Sequence, residues 1–500
     1  VPAAALVAAG FVLHHEAMMR TMTWMVGVLI VTLVAAAGRA DVATDVRRLL
    51  ADKYMGGIDA GIMLVSLGNA PTDRRVLFTH QEDKPLIPAS NLKLVTTSAA
   101  LSRFGADFRF RTALLSRQTN DGIELAIVGD GDPSLGDLRL LEPVGWGIDT
   151  VFVNWARALK DAGVTSVTRL LVDDSIFDEQ FLHPSWPSDQ TNYHYVAQVA
   201  GINLNINVVF IDVRPDGGTV RWTANPATKY LNIAGNASVT DKNAIWFSRD
   251  AGTNNITVRG ETNGAVNGTR VTIHDPAMYA GTVLAETLDR EGVRVAGGAS
   301  RDRSVRSAIK SNAGGWRVVA VHETPIAPVI GRTNKDSVNM YAEALCKRLG
   351  FVATGESGSW TNGTAAMGDY LRGLGIEADQ FSLDDGCGLS RKNRVSAKAL
   401  MRVLEDNYYS KDRSAFFASL AIGGVDGTFS NRFTDNLRGR VFGKSGYING
   451  VSALSGYVQA QDGNWYAFAI LMNNVPGGTN ATARGFQERI VKAVDDNAAR

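Results

Sequence analysis

Ser337, which opens Ser337-Val338-Asn339, stands 247 positions after Ser90, which opens the motif Ser90-Asn91-Leu92-Lys93. A third motif, Lys444-Ser445-Gly446, stands nearer the end of the 500-residue chain. If the three serve one site, the chain must leave that site, build something large and return. A gap of this length holds more than one inserted domain. Its texture differs from its flanks. Short strands over 124–128, 170–173, 207–213, 255–259 and 270–274 alternate with Gly, Asn, Asp and Pro turns, and a helix over 276–291 closes the region. The flanks carry helices over 42–54, from Ser90, and over 340–349, 397–408 and 481–495. They also carry strands over 60–66, 75–79, 454–459 and 465–472. The order predicts an α+β chain whose catalytic part is split around β-rich insertions.

Each motif supplies a group that serine acyl transfer needs. A helix puts residues three apart on one face, so Ser90 and Lys93 share a space. The helix start favours developing negative charge. Lysine acts as a base only when burial or a nearby cation lowers its pKa, and Lys444 is a candidate for that cation. Ser307-Ala308-Ile309-Lys310 repeats the spacing, but in a polar stretch with no apolar helix behind it. Ser337 can relay a proton between Lys93 and a leaving amine. Asn339 can hold a substrate carbonyl or fix Lys93. The alternative for this pair is a plain helix cap. Lys444 and the Ser445 hydroxyl can grip a terminal carboxylate on an exposed strand edge, with Gly446 admitting a close approach. The N–H groups of Ser90 and Tyr447 would form an oxyanion hole.

Other chemistries fit poorly. Lys+Arg 51 against Asp+Glu 50, with no long basic block, gives no support for nucleic acid as a partner. Cys346 and Cys387 form no disulfide framework, and no Cys/His cluster suggests a metal. Gly443-Lys444-Ser445 lacks the upstream glycine of a phosphate loop. The run Gly129-Asp130-Gly131-Asp132-Pro133-Ser134 has Leu135 and Leu141 where a calcium loop wants Gly and Glu, so it reads as a tight acidic turn. Near the beginning, Arg20, the apolar run 22–34 and the small residues before Asp41 read as a secretory signal peptide. Met18 makes a better start than Val1. A membrane anchor is the alternative, because 21–38 is uncharged and approaches spanning length.

With these residues in hand, the chain resembles the class C low-molecular-mass penicillin-binding proteins, the D-alanyl-D-alanine carboxypeptidase/endopeptidase family. The resemblance runs over 41–491 and includes 88–93, 129–135, 225–230, 275–280, 334–345, 385–393 and 427–458. It implies a transpeptidase-like domain, an antiparallel sheet flanked by helices, made of 41–111 and 322–500. An inserted domain of 112–197 and 277–321 would itself hold an inner one of 198–276. It implies cleavage of the terminal D-Ala–D-Ala bond of peptidoglycan stem peptides in the periplasm, with no cofactor and no metal. β-Lactams would be covalent inhibitors, and peripheral membrane contact stays open. Endopeptidase cleavage of cross-links is the nearest alternative. A β-lactamase sits badly with the large insertion, and a silent binding protein needs a broken motif. Three positions depart from the family pattern. Ser445 replaces the commoner threonine, Tyr447 a small hydroxyl residue, and Cys387 a serine. Trp186, Asp189 and Arg391 are secondary candidates for binding the stem peptide, against ordinary turn and surface roles.

Overall fold

The computed structural model describes residues 41–498, so the leader over 20–40 lies outside the described residues. Side chains alternate across a strand, and a strand covered on both faces must therefore be apolar throughout. Asp59–Leu67 is one. Ala60, Ile62 and Leu64 enter one core, while Met63, Val65 and Leu67 enter another on the opposite face. The strand belongs to a six-stranded antiparallel sheet. Its order is Ala421–Ile422, Val441–Ile448, Val451–Gln459, Trp465–Asn473, Asp59–Leu67 and Arg75–His80. The helices Val42–Leu50 and Asn480–Ala498 cover one face through Val46, Phe486 and Ile490. On the other face lie Leu92–Phe104, Asn339–Thr354 and Ala397–Tyr409. Every residue from Leu92 to Leu101 is buried, so this helix runs through the core and holds Ser90 and Lys93 at a rigid end.

The chain between these parts builds further sheets. A five-stranded sheet runs Ala299–Arg301, Arg169–Asp173, Gly122–Val128, Arg109–Thr119 and Arg317–Pro325. The helices Thr150–Asp161 and Pro276–Arg290 pack on it. Within its span, a three-stranded and a four-stranded sheet face each other across Val209, Ile211, Phe247, Ile256, Val258 and Val271. The molecule is α+β, with an antiparallel catalytic sheet flanked by helices and β-rich insertions.

Several helices exceed the sequence reading, and the two longest are informative. Thr150–Asp161 falls inside the region read as strands and turns; Val151, Phe152, Trp155, Ala156 and Leu159 form its buried stripe. Their β-branched and aromatic character favours a strand while their spacing favours a helix, and packing decides for the spacing. Trp360–Gly373 is the other, capped by Ser359, whose hydroxyl accepts from the Asn362 N–H. In the acidic turn, Asp132 accepts from the N–H and hydroxyl of Ser134, and Arg348 pairs with Asp130 at 3.1 Å. Among the described residues no helix is long and apolar enough to cross a membrane.

Candidate active site

Ser90 sits in the tight turn Ala89–Asn91 that leads into Leu92–Phe104. Lys93, one turn on, is fully buried. Its Nζ donates to Ser90 Oγ at 3.0 Å, to Asn339 Oδ1 at 2.7 Å and to the Cys387 carbonyl at 2.9 Å. All three ammonium hydrogens are thereby used. Burial pushes the Lys93 ammonium below its ordinary range, against the opposing pull of Cys387, Glu343 and Asp385. The second motif arrives through a residue in the left-handed region, Ser337 at φ +60°. The helix Asn339–Thr354 is preceded by Val338, and no side chain caps it, so Ser337 does not do a cap's work. Asn339 instead ties Lys93 on one side and donates through Nδ2 to the Tyr195 carbonyl at 2.7 Å on the other.

The third motif lies on Val441–Ile448. The neighbouring strand Ala421–Ile422 pairs only with Phe442 and Gly443, which leaves the outer side of the motif without a strand partner among the described residues. A Cβ on Gly446 would lie 2.8 Å from the Pro88 carbonyl and 3.1 Å from the Ser90 nitrogen, so glycine here lets the strand close on the Ser90 turn. Lys444 is fully buried and donates to the Ser445 carbonyl at 2.8 Å. Burial pushes its ammonium well down and the charge of Lys93 adds to this, with Asp336 opposing. Ser445 is half-buried and Tyr447 is 54% exposed. The competing Ser307 and Lys310 lie exposed, and the Ser307 hydroxyl turns back to the Ser304 carbonyl.

Behind Lys93 lies a buried acidic layer that the motif reading missed. Glu343 accepts from Trp360 Nε1 and from the N–H groups of Gly386 and Cys387 at 2.6–2.9 Å. Burial, with Asp385 adding, pushes its carboxyl up to about 7. Asp385 accepts from Trp186 Nε1, the N–H groups of Gly388 and Ser390, and Asn393 Nδ2. The helical spacing held the clue, because Glu343 follows Asn339 by one turn on the same face. Of the secondary candidates, Trp186 is buried and spends its indole N–H on Asp385. Asp189 is exposed, and Arg391 is exposed and donates to the Asn449 carbonyl beside the third motif. A cavity of about 750 Å³ reaches Ser337, Val338 and Asn339, with His194, Tyr195 and Arg270 among its walls. Cys346 and Cys387 are both free thiols.

The sequence profile of the D-Ala-D-Ala carboxypeptidase 3 (S13) family matches residues 42–495. The chain is 28% identical over 472 residues to the D-alanyl-D-alanine carboxypeptidase of Actinomadura sp. (strain R39), covering 89% of this chain and 83% of that one. It is 24% identical over 412 residues to D-alanyl-D-alanine carboxypeptidase DacB of Haemophilus influenzae, covering 79% and 81%. Among solved structures, penicillin binding protein 4 from Haemophilus influenzae matches with a TM-score of 0.74 at 22% identity, over 90% of this chain and 99% of that one. A predatory endopeptidase from Bdellovibrio bacteriovorus matches at 0.52 and 15%, over 88% and 94%. At those identities the structural matches speak for the fold.

Proposed function

Because this chain belongs to the D-Ala-D-Ala carboxypeptidase 3 (S13) family and is a serine-type peptidase, we propose that Ser90 removes the terminal D-alanine of peptidoglycan stem peptides. The observation that carries this reading is the 3.0 Å contact between Lys93 Nζ and Ser90 Oγ. An ammonium cannot accept a proton, and burial favours the neutral amine. In that form Asn339 Oδ1 and the Cys387 carbonyl take the two remaining N–H groups, which leaves the lone pair facing the serine hydroxyl. Ser90 then attacks the carbonyl of the penultimate D-alanine while Lys93 takes its proton. The N–H groups of Ser90 and Tyr447 receive the oxyanion. Lys444, buried with no carboxylate paired to it among the described residues, takes the substrate's terminal carboxylate together with the Ser445 hydroxyl, and that carboxylate favours its charged form. Ser337 relays the proton to the departing amine, and water activated by Lys93 hydrolyses the acyl-enzyme. β-Lactams acylate Ser90 in the same way. Asp189 and Arg391 are assigned to the rim of the stem-peptide site, and Trp186 to its support.

Endopeptidase cleavage of cross-links is the second reading, favoured by the cavity that opens at Ser337. That residue faces the leaving group, and a space of about 750 Å³ beside it accommodates a second stem peptide as leaving group. Labelled penicillin, pentapeptide and cross-linked muropeptides test both. Label on Ser90 that is lost in Ser90→Ala, with release of D-alanine or of a cross-link, is the expected result. Label retained by Ser90→Ala, or neither substrate cleaved, overturns the mechanism. The reaction is assigned to the periplasm, reached through the leader over 20–40. Mass spectrometry of the exported chain should find Asp41 at its beginning, whereas an uncleaved leader would mean a membrane-held enzyme.

A further inference from the structure

Far along the inner insertion, at the end of the strand Ala244–Arg249, a guanidinium is buried without a counter-ion. Arg249 is 7% exposed. Its Nη1 donates to the Thr253 carbonyl at 2.8 Å, and Nη2 to the Thr191 carbonyl at 3.1 Å and Thr272 Oγ1 at 3.3 Å. Gln198, with its amide oxygen turned toward it, accepts from Nη2 at 2.9 Å. Every one of these acceptors is neutral, and Nε has no acceptor among the described residues. Among the described residues no carboxylate pairs with it, and burial alone pushes its guanidinium down to about 10. Buried charges are normally paired, because a neutral environment replaces hydration poorly.

The surroundings have the shape of a small-ligand site. A cavity of about 250 Å³ is walled by Arg249, Gln198, His274, Phe181, Leu182 and Glu179. The first two offer a fixed polar floor. Burial and the charge of Arg249 hold the His274 imidazole below its ordinary value, so it adds no second cation and can donate one N–H. Phe181 and Leu182 make an apolar side fit for a short aliphatic group. Glu179 is exposed and supplies a carboxylate at the cavity wall. A cation fixed inside and an anion outside is the pattern that recognises a zwitterion. The geometry points to a second ligand site, remote from Ser90, in which a small amino acid places its carboxylate on Arg249 and its ammonium toward Glu179. Because Arg249 and Thr272 both hold the Thr191 carbonyl, the occupant lies behind the segment that carries Trp186 and Asp189.

Calorimetric titration of the whole protein with D-alanine, L-alanine and propionate tests the site, since propionate lacks only the ammonium. Alanine should bind more tightly than propionate. Binding should fall at least tenfold in Arg249→Gln and should survive Lys444→Met, which removes the carboxylate-binding cation of the active site. Should Arg249→Gln fail to fold, Arg249→Lys decides: it keeps the charge but loses the planar fork and should weaken binding severalfold. Glu179→Gln, an exposed change, should bring alanine down to the level of propionate. No binding at millimolar alanine, binding that survives Arg249→Gln or that vanishes in Lys444→Met, or equal binding of alanine and propionate to the unaltered protein overturns the proposal.

Discussion

As the proposed base, Lys93 has to be neutral, and its neighbours decide when it is. Penicillin acylation should rise with pH and level off below the ordinary lysine range, because burial has lowered the Lys93 pKa. Lys93→Met should slow labelling about 10²–10⁴-fold, the usual share of a general base. Glu343 behaves in the opposite sense. Its folded value, about 7, lies above the ordinary 4.5, so folding favours the protonated form. That stabilisation is whole below about pH 4.5 and is lost as pH rises through 7. The loss amounts to about 3 kcal/mol. Denaturant unfolding across this range should show the unaltered protein losing stability relative to Glu343→Gln, which has no proton to release. Position 387 resolves a puzzle of the sequence. Lys93 uses its main-chain carbonyl, and the buried thiol only approaches Asp385 Oδ2 at 3.9 Å. Cysteine therefore serves there as serine would, and Cys387→Ser should leave penicillin acylation within about threefold, since side-chain contacts of this kind are weak.

At the level of elements, two close approaches assemble the site. Gly388, at φ +86°, would put a Cβ 1.9 Å from the Ala89 carbonyl, and Gly446 would press on the same turn. Gly388→Ala should lower stability by about 1–3 kcal/mol from backbone strain alone, and the crowding of Ala89 should slow penicillin labelling further. The sequence carried the three motifs because each is local, and their residues meet: Ser90, Lys93 and Asn339 join by direct hydrogen bonds. The strands Asp59–Leu67 and Trp465–Asn473 were legible because burial on both faces demands an unbroken apolar run. The acidic layer was not, since Glu343 and Asp385 come from separate elements and only the fold brings their carboxylates together. Trp186 is a stem-peptide contact only by resemblance to the family pattern. Its indole N–H is committed inward to Asp385, and nothing in the sequence reports the direction of a side chain.

Across the whole molecule, the insertions brace the site as well as shaping its cavity. Asp137 accepts from Arg332 Nε at 2.9 Å and from the Tyr341 hydroxyl at 2.6 Å, while Arg332 also pairs with Asp336 next to Ser337. Breaking such a buried pair costs about 3–5 kcal/mol. Asp137→Ala should therefore lower the denaturation midpoint accordingly and slow acylation together with it. The route of the chain also sets an order of assembly. Ile62 pairs with Ile470, 408 positions later, whereas the inner sheets pair strands within 208–272. Local pairings form fast, and distant ones wait for their partner to be made. Pulse-labelled hydrogen exchange during refolding should protect the inner sheets before the six-stranded one. On the ribosome, the strand Asp59–Leu67 can pair early with Arg75–His80, but its other edge must stay unmatched until almost the whole chain has emerged. Ser90 is synthesised first of the three motifs, yet it is mute until the last strands arrive: a peptidase that directs its chemistry at the cell wall is born unable to perform it.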